Sequence, residues 1–475
     1  MPQAKKPVAK KPAAKKVSSS RKFSPSEACT QFVAKLKYSD IPKEVIDTIK
    51  RDFLDWLGCA IAGAKNPFAV HARKFVNAQA GKPEASIFGE AKMNTMCLSA
   101  MANAYYSHIE EMDDVDRTSI SHPATPTMAA AMAIAPAKKK NGKDLLCAVI
   151  AGFEVMLRIG TAITPAHYKV FHTTATTGVF GAAMTAGYLL GLSEEQLGWA
   201  LGSAGTMSAG LWQFLPDGAM SKFLHTGMAA SNGVLAATMA STGFTGARHI
   251  LEGEQGFFEG FARQKIDEKI FKDFGKYYRA GTISFKPYPC CRHTQSSIDA
   301  GNELRLKLKG EELKHVLVGT YKTAMNIAGH PNPTNTREAK FSVRYTTASS
   351  ILRGLAEESH FSEKSIKDPK LQALLMKIEV KVDPSIDKLM PAHWGCKLTA
   401  TTTKGKTITV HVPDPKGDPD NTLTWDDVIR KFNLMVNKKI TPKTAEKVVA
   451  FCKDLEKQKD MGQLFKIINS DLKIK

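Results

Sequence analysis

From residue 93 to residue 241 the chain presents one small-residue helical segment after another, and this constrains its fold more than any other feature. Residues 93 to 110, 124 to 137, 143 to 165, 173 to 192, 194 to 209 and 221 to 241 are rich in Ala, Met and Gly and apolar on most faces. Small residues let helix axes approach closely, and a helix without a polar face belongs in an interior or an oligomer interface. The series predicts a large all-helical unit. Two helices precede it. Ser24-Pro25-Ser26-Glu27 places Ser at an N-cap, Pro at the first helical position and Glu at the third, a capping box opening a helix through Leu36. After Pro42, the residues Val45, Ile46, Ile49, Phe53, Trp56, Leu57, Ala60 and Ile61 recur at three- and four-residue spacing in one broad stripe that ends at Gly63. Ser193 with Gln196 marks a further helix start by the same capping logic.

Near Thr282 the pattern changes. Val316, Val318 and Thr320, then Ile378, Val380 and Val382, then residues 398 to 403 and 407 to 412, read as strands, with Lys404-Gly405 as the turn between the last two. Helices at about 294 to 306 and 345 to 357 accompany them, and Thr424 with Asp427 caps a final helical stretch. At 475 residues the chain exceeds one ordinary core. The fold class expected is mainly α: an all-helical domain from 23–281 and 415–475, with a smaller α+β lid domain, 282–414, inserted into it.

Residues 1–22 form a basic tail expected to be disordered. It holds eight of the basic residues behind the net charge of +20 and no acidic one, in a repeating A-K-K-P pattern. Such a tail is either a solvated extension or a salt-sensitive hold on nucleic acid. The remaining surplus suits an anionic substrate. The eight cysteines show no C-x-x-C and no ladder of spacings, which points to reduced thiols and against an iron–sulfur cluster. Apolar runs such as Gly178 to Leu192 fall short of the ~20 residues of a membrane span, and the first 22 residues lack a secretory apolar core, so a cytoplasmic protein is expected.

Three places carry chemistry. Glu110, Glu111, Asp113, Asp114 and Asp116, followed by His122, are the densest ionisable group in an apolar neighbourhood. They read as a solvated loop between helices or as carboxylates that order an imidazole as general base. No second His stands at i+4, which speaks against a metal site. His172 precedes a Gly/Ala helix whose N-terminus offers donors to an anion. Lys222 lies in the first turn of another helix, where the macrodipole disfavours positive charge, so an anion or carboxylate is expected to offset it. Finally, Lys286-Pro287-Tyr288-Pro289-Cys290-Cys291-Arg292-His293 spans the expected domain boundary, where substrate clefts lie. A Cys nucleophile with His293 as base, or zinc ligation, are the other readings of this segment.

Five segments taken in order, DFLDWLGCAIAGA (52 to 64), HIEEMDDVDRTSISHPATP (108 to 126), SKFLHTGMAASNG (221 to 233), KPYPCCRHTQ (286 to 295) and DPKGDPDN (414 to 421), resemble the MmgE/PrpD family. The family includes 2-methylcitrate dehydratase, cis-aconitate decarboxylase and iminodisuccinate epimerase. The resemblance implies a noncontiguous helical domain with an α+β lid, a homodimer, and an active site between the two without metal or organic cofactor. It also implies an active-site role for His122, His172, Lys222 and Lys286, with Asp113 and Asp114 matching the family's paired aspartates. Glu111, Val115 and Cys291 depart from the decarboxylase branch, and Met112-Asp113-Asp114-Val115-Asp116 departs from the dehydratase pattern.

The expected function is therefore a lyase or isomerase that abstracts a proton alpha to a carboxylate of a small polycarboxylic acid, foremost a dehydratase. An iminodisuccinate-type epimerase and a cis-aconitate-type decarboxylase are the alternatives within the family. A nucleic-acid-binding protein using the tail and a catalytically silent dimeric scaffold are the alternatives outside it. His122 and His172 are assigned proton transfer and Lys222 charge stabilisation, with Asp114 orienting His122. Lys286, Asp113, Cys291 and His293 are assigned to substrate contact.

Overall fold

The computed structural model describes residues 23–79 and 81–474, and the lysine-rich tail lies outside them. The first part is a helical bundle: α1 (Pro25–Lys35), α2 (Lys43–Ala64), α3 (Ala69–Ala78), α4 (Met96–Ile109), α5 (Ala124–Ile134), α6 (Gly142–Ile163), α7 (Thr173–Leu190), α8 (Glu194–Thr206) and α9 (Ser221–Ser241). Ser24 accepts from the Glu27 amide as an N-cap, but the Glu27 carboxylate pairs with Arg248 at 3.0 Å. Ser193 and Gln196 do form a reciprocal capping box.

Helix α7 lies at the centre, packed on α5, α6, α8 and α9. The glycines make this possible. A methyl on Gly233 of α9 would stand 2.7 Å from the Ala183 main-chain nitrogen of α7, and one on Gly181 would stand 2.9 Å from Met156 Cβ of α6. Helix α6 is 22 residues long and apolar enough to cross a membrane by length and composition, a match that the sequence reading did not anticipate. In the structure it is a core helix, and its buried Arg158 is paired with Glu154 of the same helix and with Asp273 at 2.8 Å.

Two large apolar clusters divide the chain. The first runs from Cys29 to Phe285 and resumes from Leu423 to Leu472. The second runs from Tyr288 to Val410. It is built on a four-stranded mixed sheet, in the order β2-β1-β3-β4, of β1 (Leu313–Thr320), β2 (Ile378–Val382), β3 (Cys396–Thr402) and β4 (Thr407–Val412). Strands β1 and β2 are parallel, with Val316 opposite Ile378, while β3 and β4 form an antiparallel hairpin through Gly405, whose φ of 83° only Gly adopts freely. Cys396, Leu398 and Ala400 are buried on one face, against the helix Gln295–Leu308, on which the helix Val343–Arg353 packs in turn.

The clusters meet at the segment 413 to 422. Asp418 is buried there between Arg117 of the first part, at 2.6 Å, and Arg292 of the second, at 3.4 Å.

Candidate active site

The site begins where α4 ends. His108 lies in the last turn of that helix, and Glu111 then takes a left-handed backbone (φ 59°), a conformation costing roughly 1–2 kcal/mol for a residue with a Cβ. The chain returns through Asp113 and Asp114 to a tight turn held by Asp116, whose carboxylate accepts from the Ser119 amide at 2.7 Å and the Thr118 hydroxyl at 2.8 Å. Asp116 is thus a turn residue. From below, Lys431 donates to the Met112 carbonyl at 2.6 Å and meets Asp55 at 2.6 Å, pinning the loop to α2. Helix α5 follows, and both oxygens of the Asp114 carboxyl accept from its Ala124 amide at 3.2 Å.

Asp113 is the hub. Its Oδ2 receives His108 Nδ1 at 2.6 Å and the Thr125 hydroxyl at 3.1 Å, and its Oδ1 receives Lys286 Nζ at 3.4 Å. His122 Nδ1 lies 2.5 Å from the Asp114 carbonyl and 3.3 Å from Asp113 Oδ2. These acceptors place the Nδ1 hydrogens of both imidazoles and leave both Nε2 atoms for chemistry. His108 Nε2 is buried with no hydrogen-bond partner among the described residues. The His108 and His122 ring centres are 5.0 Å apart, and His172, at the N-cap of α7, stands 5.8 Å from His108 and 6.4 Å from His122. His172 is backed by Trp212 at 4.9 Å and by His225, Nδ1 to Nδ1, at 3.3 Å.

Burial dominates the electrostatics. It lowers His122 to about 3, opposed by Asp113 and assisted by Lys286, and it drives His172 well below the usual imidazole range with help from the neighbouring His108 and Lys222. Burial pushes Asp113 and Glu111 upward, but the cations win. His108 and Lys286 hold Asp113 well below the carboxylate range, and Lys222 and Lys286 bring Glu111 to about 2. Burial likewise lowers Lys286, and Asp113 with Glu111 reverses this, so its pKa is raised. Asp114 goes the other way: burial, then Asp52 and Asp113, raise it well above the usual range and favour the neutral acid.

Lys222 donates to Glu111. The offsetting anion expected at the start of α9 is therefore a carboxylate of the protein. His172, Lys222, Lys286 and Asp113, all buried, converge with the partly exposed His122 in one cluster, with the Asp114 main chain among them. Two expectations need correction. Asp114 orients His122 through its main-chain carbonyl while its carboxyl serves α5, because the loop turns the side chain toward that helix terminus. His293 is held elsewhere, bonded to the Tyr321 hydroxyl at 2.8 Å and stacked on Trp394 at 4.6 Å, because the turn Arg292–Thr294 points it into the second part. Cys291 stays near the charged groups, and burial pushes its thiol up to about 11, which makes it a poor nucleophile.

Sequence reasoning missed His108, Glu111 as the partner of Lys222, His225 and the Asp55–Lys431 support. The signals were weak: a His inside an apolar helix, and an Asp on the inward face of α2. Metal ligation was weighed at the acidic loop and at residues 286 to 293, but not at a set of three imidazoles. One nitrogen each of His108, His122 and His172 lie within 4.8 Å of one another, a grouping able to hold a divalent cation. Two ammonium groups flank that cluster, at Lys222 and Lys286.

The fold and site define a mainly α protein with a buried centre of imidazoles, carboxylates and ammonium groups suited to acid–base chemistry. The MmgE/PrpD N-terminal domain matches residues 27–269 and the MmgE/PrpD C-terminal domain matches residues 288–457, so the chain belongs to the MmgE/PrpD family. Its relatives include human cis-aconitate decarboxylase, 26% identical over 92% of this chain and 93% of the relative. The cis-aconitate decarboxylase of Aspergillus terreus is 24% identical over 96% and 98%, and a cis-aconitate decarboxylase-like protein of Aspergillus oryzae is 24% identical over 94% and 97%.

Proposed function

We propose that this chain is a lyase acting on a small tricarboxylate of the cis-aconitate kind, with decarboxylation as its reaction. The relatives' names, over nearly full length, move the balance from dehydration to loss of carbon dioxide. The observation that carries the reading is the pair His108 and His122, each fixed at Nδ1 and free at Nε2, beside Lys286. In the proposed step the bond between the substrate methylene and its carboxylate breaks and carbon dioxide leaves. The electron pair forms a new carbon–carbon double bond, and the pair of the original double bond moves to the next carbon. There the adjoining carboxylate, held by an ammonium group, spreads the charge until an imidazole delivers a proton. The substrate's own negative charges raise the histidine pKa values toward the range where that proton is available.

Dehydration is the second reading, favoured by His122, whose Nε2 is left for proton abstraction by the hold on its Nδ1. There, the imidazole takes a proton alpha to a carboxylate, a carbon–carbon double bond forms, and the β-hydroxyl takes a proton from the Lys286 ammonium and leaves as water. Incubation in deuterated water with cis-aconitate, citrate and 2-methylcitrate, followed by NMR, separates the two. Carbon dioxide release with one deuterium in the product supports decarboxylation, water loss from citrate or 2-methylcitrate supports dehydration, and no change in any of them refutes both.

As an assembly we propose a homodimer. Leu224, Met228, Leu235 and Met239 make an exposed apolar stripe on α9, 37 to 45% exposed, with Phe68 and Phe75 also exposed beside α3. We also propose that the part built on the sheet acts as a lid, since Lys286 and Asp113 are fully buried and substrate needs a way in.

A further inference from the structure

We propose that Arg337 is a substrate-carboxylate anchor that selects a tricarboxylate over a dicarboxylate. This rests on the polycarboxylate reading above. The two lysines of the site are already matched by protein carboxylates, Lys222 by Glu111 and Lys286 by Asp113. These two ion pairs cancel, so neither lysine brings surplus positive charge to the centre for a trianion. A polyanion brought into such a buried place needs a further cation with its own hydrogen-bond donors.

Arg337 meets that need. It lies on the short helix Thr336–Lys340 of the second part and reaches back to the first, where its Nη1 donates to the Ala219 carbonyl at 2.8 Å, just before α9. Its guanidinium carbon lies 5.9 Å from the Phe214 ring, and Phe214 is 5.3 Å from His225 and 6.5 Å from His172. Four residues on, Phe341 lies 5.5 Å from Lys222 Nζ, so this turn brings both side chains to the same corner of the site. Burial lowers the Arg337 pKa and the Glu111 carboxylate opposes it, which puts the guanidinium within electrostatic reach of the centre. It is half-buried and has no carboxylate at ion-pair distance among the described residues. A guanidinium has five donors in a planar fork, and a carboxylate fits that fork with two parallel bonds. Because Arg337 comes from one part and Lys222 from the other, a ligand held by both also ties the two parts together.

The test uses two unreactive probes that differ by one carboxylate: tricarballylate, and methylsuccinate, which carries a methyl in place of one carboxymethyl arm. Binding to the full chain is measured by calorimetry for wild type, Arg337→Gln, Arg337→Ala and Arg337→Lys, with a thermal melt for each. Gln keeps a donor for the Ala219 carbonyl. Expected are a loss of about tenfold or more in tricarballylate affinity for the Gln and Ala variants, and less than about threefold for methylsuccinate. Lys should recover part of the loss. Equal losses for both probes would mean a structural tether to Ala219, and no loss, or no tricarballylate binding by wild type, would likewise overturn the proposal. Selective tricarballylate binding without turnover of cis-aconitate would leave Arg337 in place and refute only the assigned reaction.

Discussion

Glu111 and Lys222 lie 111 residues apart in sequence and form a nearly buried ion pair that joins the loop after α4 to the first turn of α9. The pair answers an unfavourable local arrangement, since a cation at a helix N-terminus opposes the macrodipole. Glu111 meets Lys222 from a left-handed backbone position.

Removing one partner leaves the other buried and uncompensated. Glu111→Gln is expected to lose about 3 kcal/mol of stability, and Lys222→Met a similar amount, whereas the double variant should lose less than the sum of the two. Chemical denaturation of the four proteins checks this. A tricarboxylate replaces the missing anion, so tricarballylate should raise the melting temperature of Glu111→Gln more than that of wild type. Additive losses would show that the pair contributes no coupling.

His108 and His122 share Asp113 but use different partners to fix their hydrogens. Replacing either by Gln keeps the volume and removes proton transfer, so the turnover rate should fall ~10²–10⁴-fold with tricarballylate affinity changed only a few-fold. Thr125→Val removes one donor to Asp113 and should cost less than either. Rates within a few-fold of wild type for both histidine variants would remove these residues from the mechanism.

The recovery of this site from sequence was uneven for physical reasons. Residues 221 to 241, 378 to 382 and 407 to 412 were legible to the residue because helix and strand periods are local, and α9, β2 and β4 occupy those ranges. Lys222 was legible because its charge sits where a helix start disfavours it. His108 was not, since a His in an apolar helix reads as core until the fold sets Asp113 beside it. Arg337 stands in Thr-Arg-Glu-Ala-Lys, which carries no motif of its own, and only the meeting of the two parts brings it to Ala219. His293 misled for the opposite reason. Neighbours in sequence separate when a single 3₁₀ turn intervenes.

Acid should weaken the fold through its depressed histidines. His122 and His293 are held at about 3, and His167 and His225 at about 4, by burial. Each is neutral when folded but takes a proton when unfolded below about 6.5, so the unfolded chain binds more protons and stability rises with pH across that window. The stability these groups contribute is present above pH 6.5 and is lost as pH falls toward 3 to 4. Asp52 and Asp114, raised by burial, work the other way, so the histidine share is read as a difference: stability lost between pH 7.5 and 5, followed by urea midpoints, should be smaller in His122→Gln than in wild type. An unchanged difference between the two proteins across this range would mean that the His122 imidazole titrates alike in both states.

The same depressed histidines make the source of the catalytic proton measurable. His122 and His172 hold little charge, because burial and the neighbouring cations disfavour it. A bound trianion replaces water with negative charge and raises both, so binding should take up protons, and affinity should fall as pH rises from 6 to 8. The alternative donor is Lys286, whose raised pKa keeps its ammonium protonated with or without ligand. Calorimetric titration of tricarballylate at pH 6.5 in two buffers of different ionisation enthalpy distinguishes them. Uptake approaching one proton, much reduced in His122→Gln, identifies the imidazole as the group charged by substrate. Zero uptake would transfer the acid role to Lys286 and leave the histidines as hydrogen-bonding groups that orient the substrate.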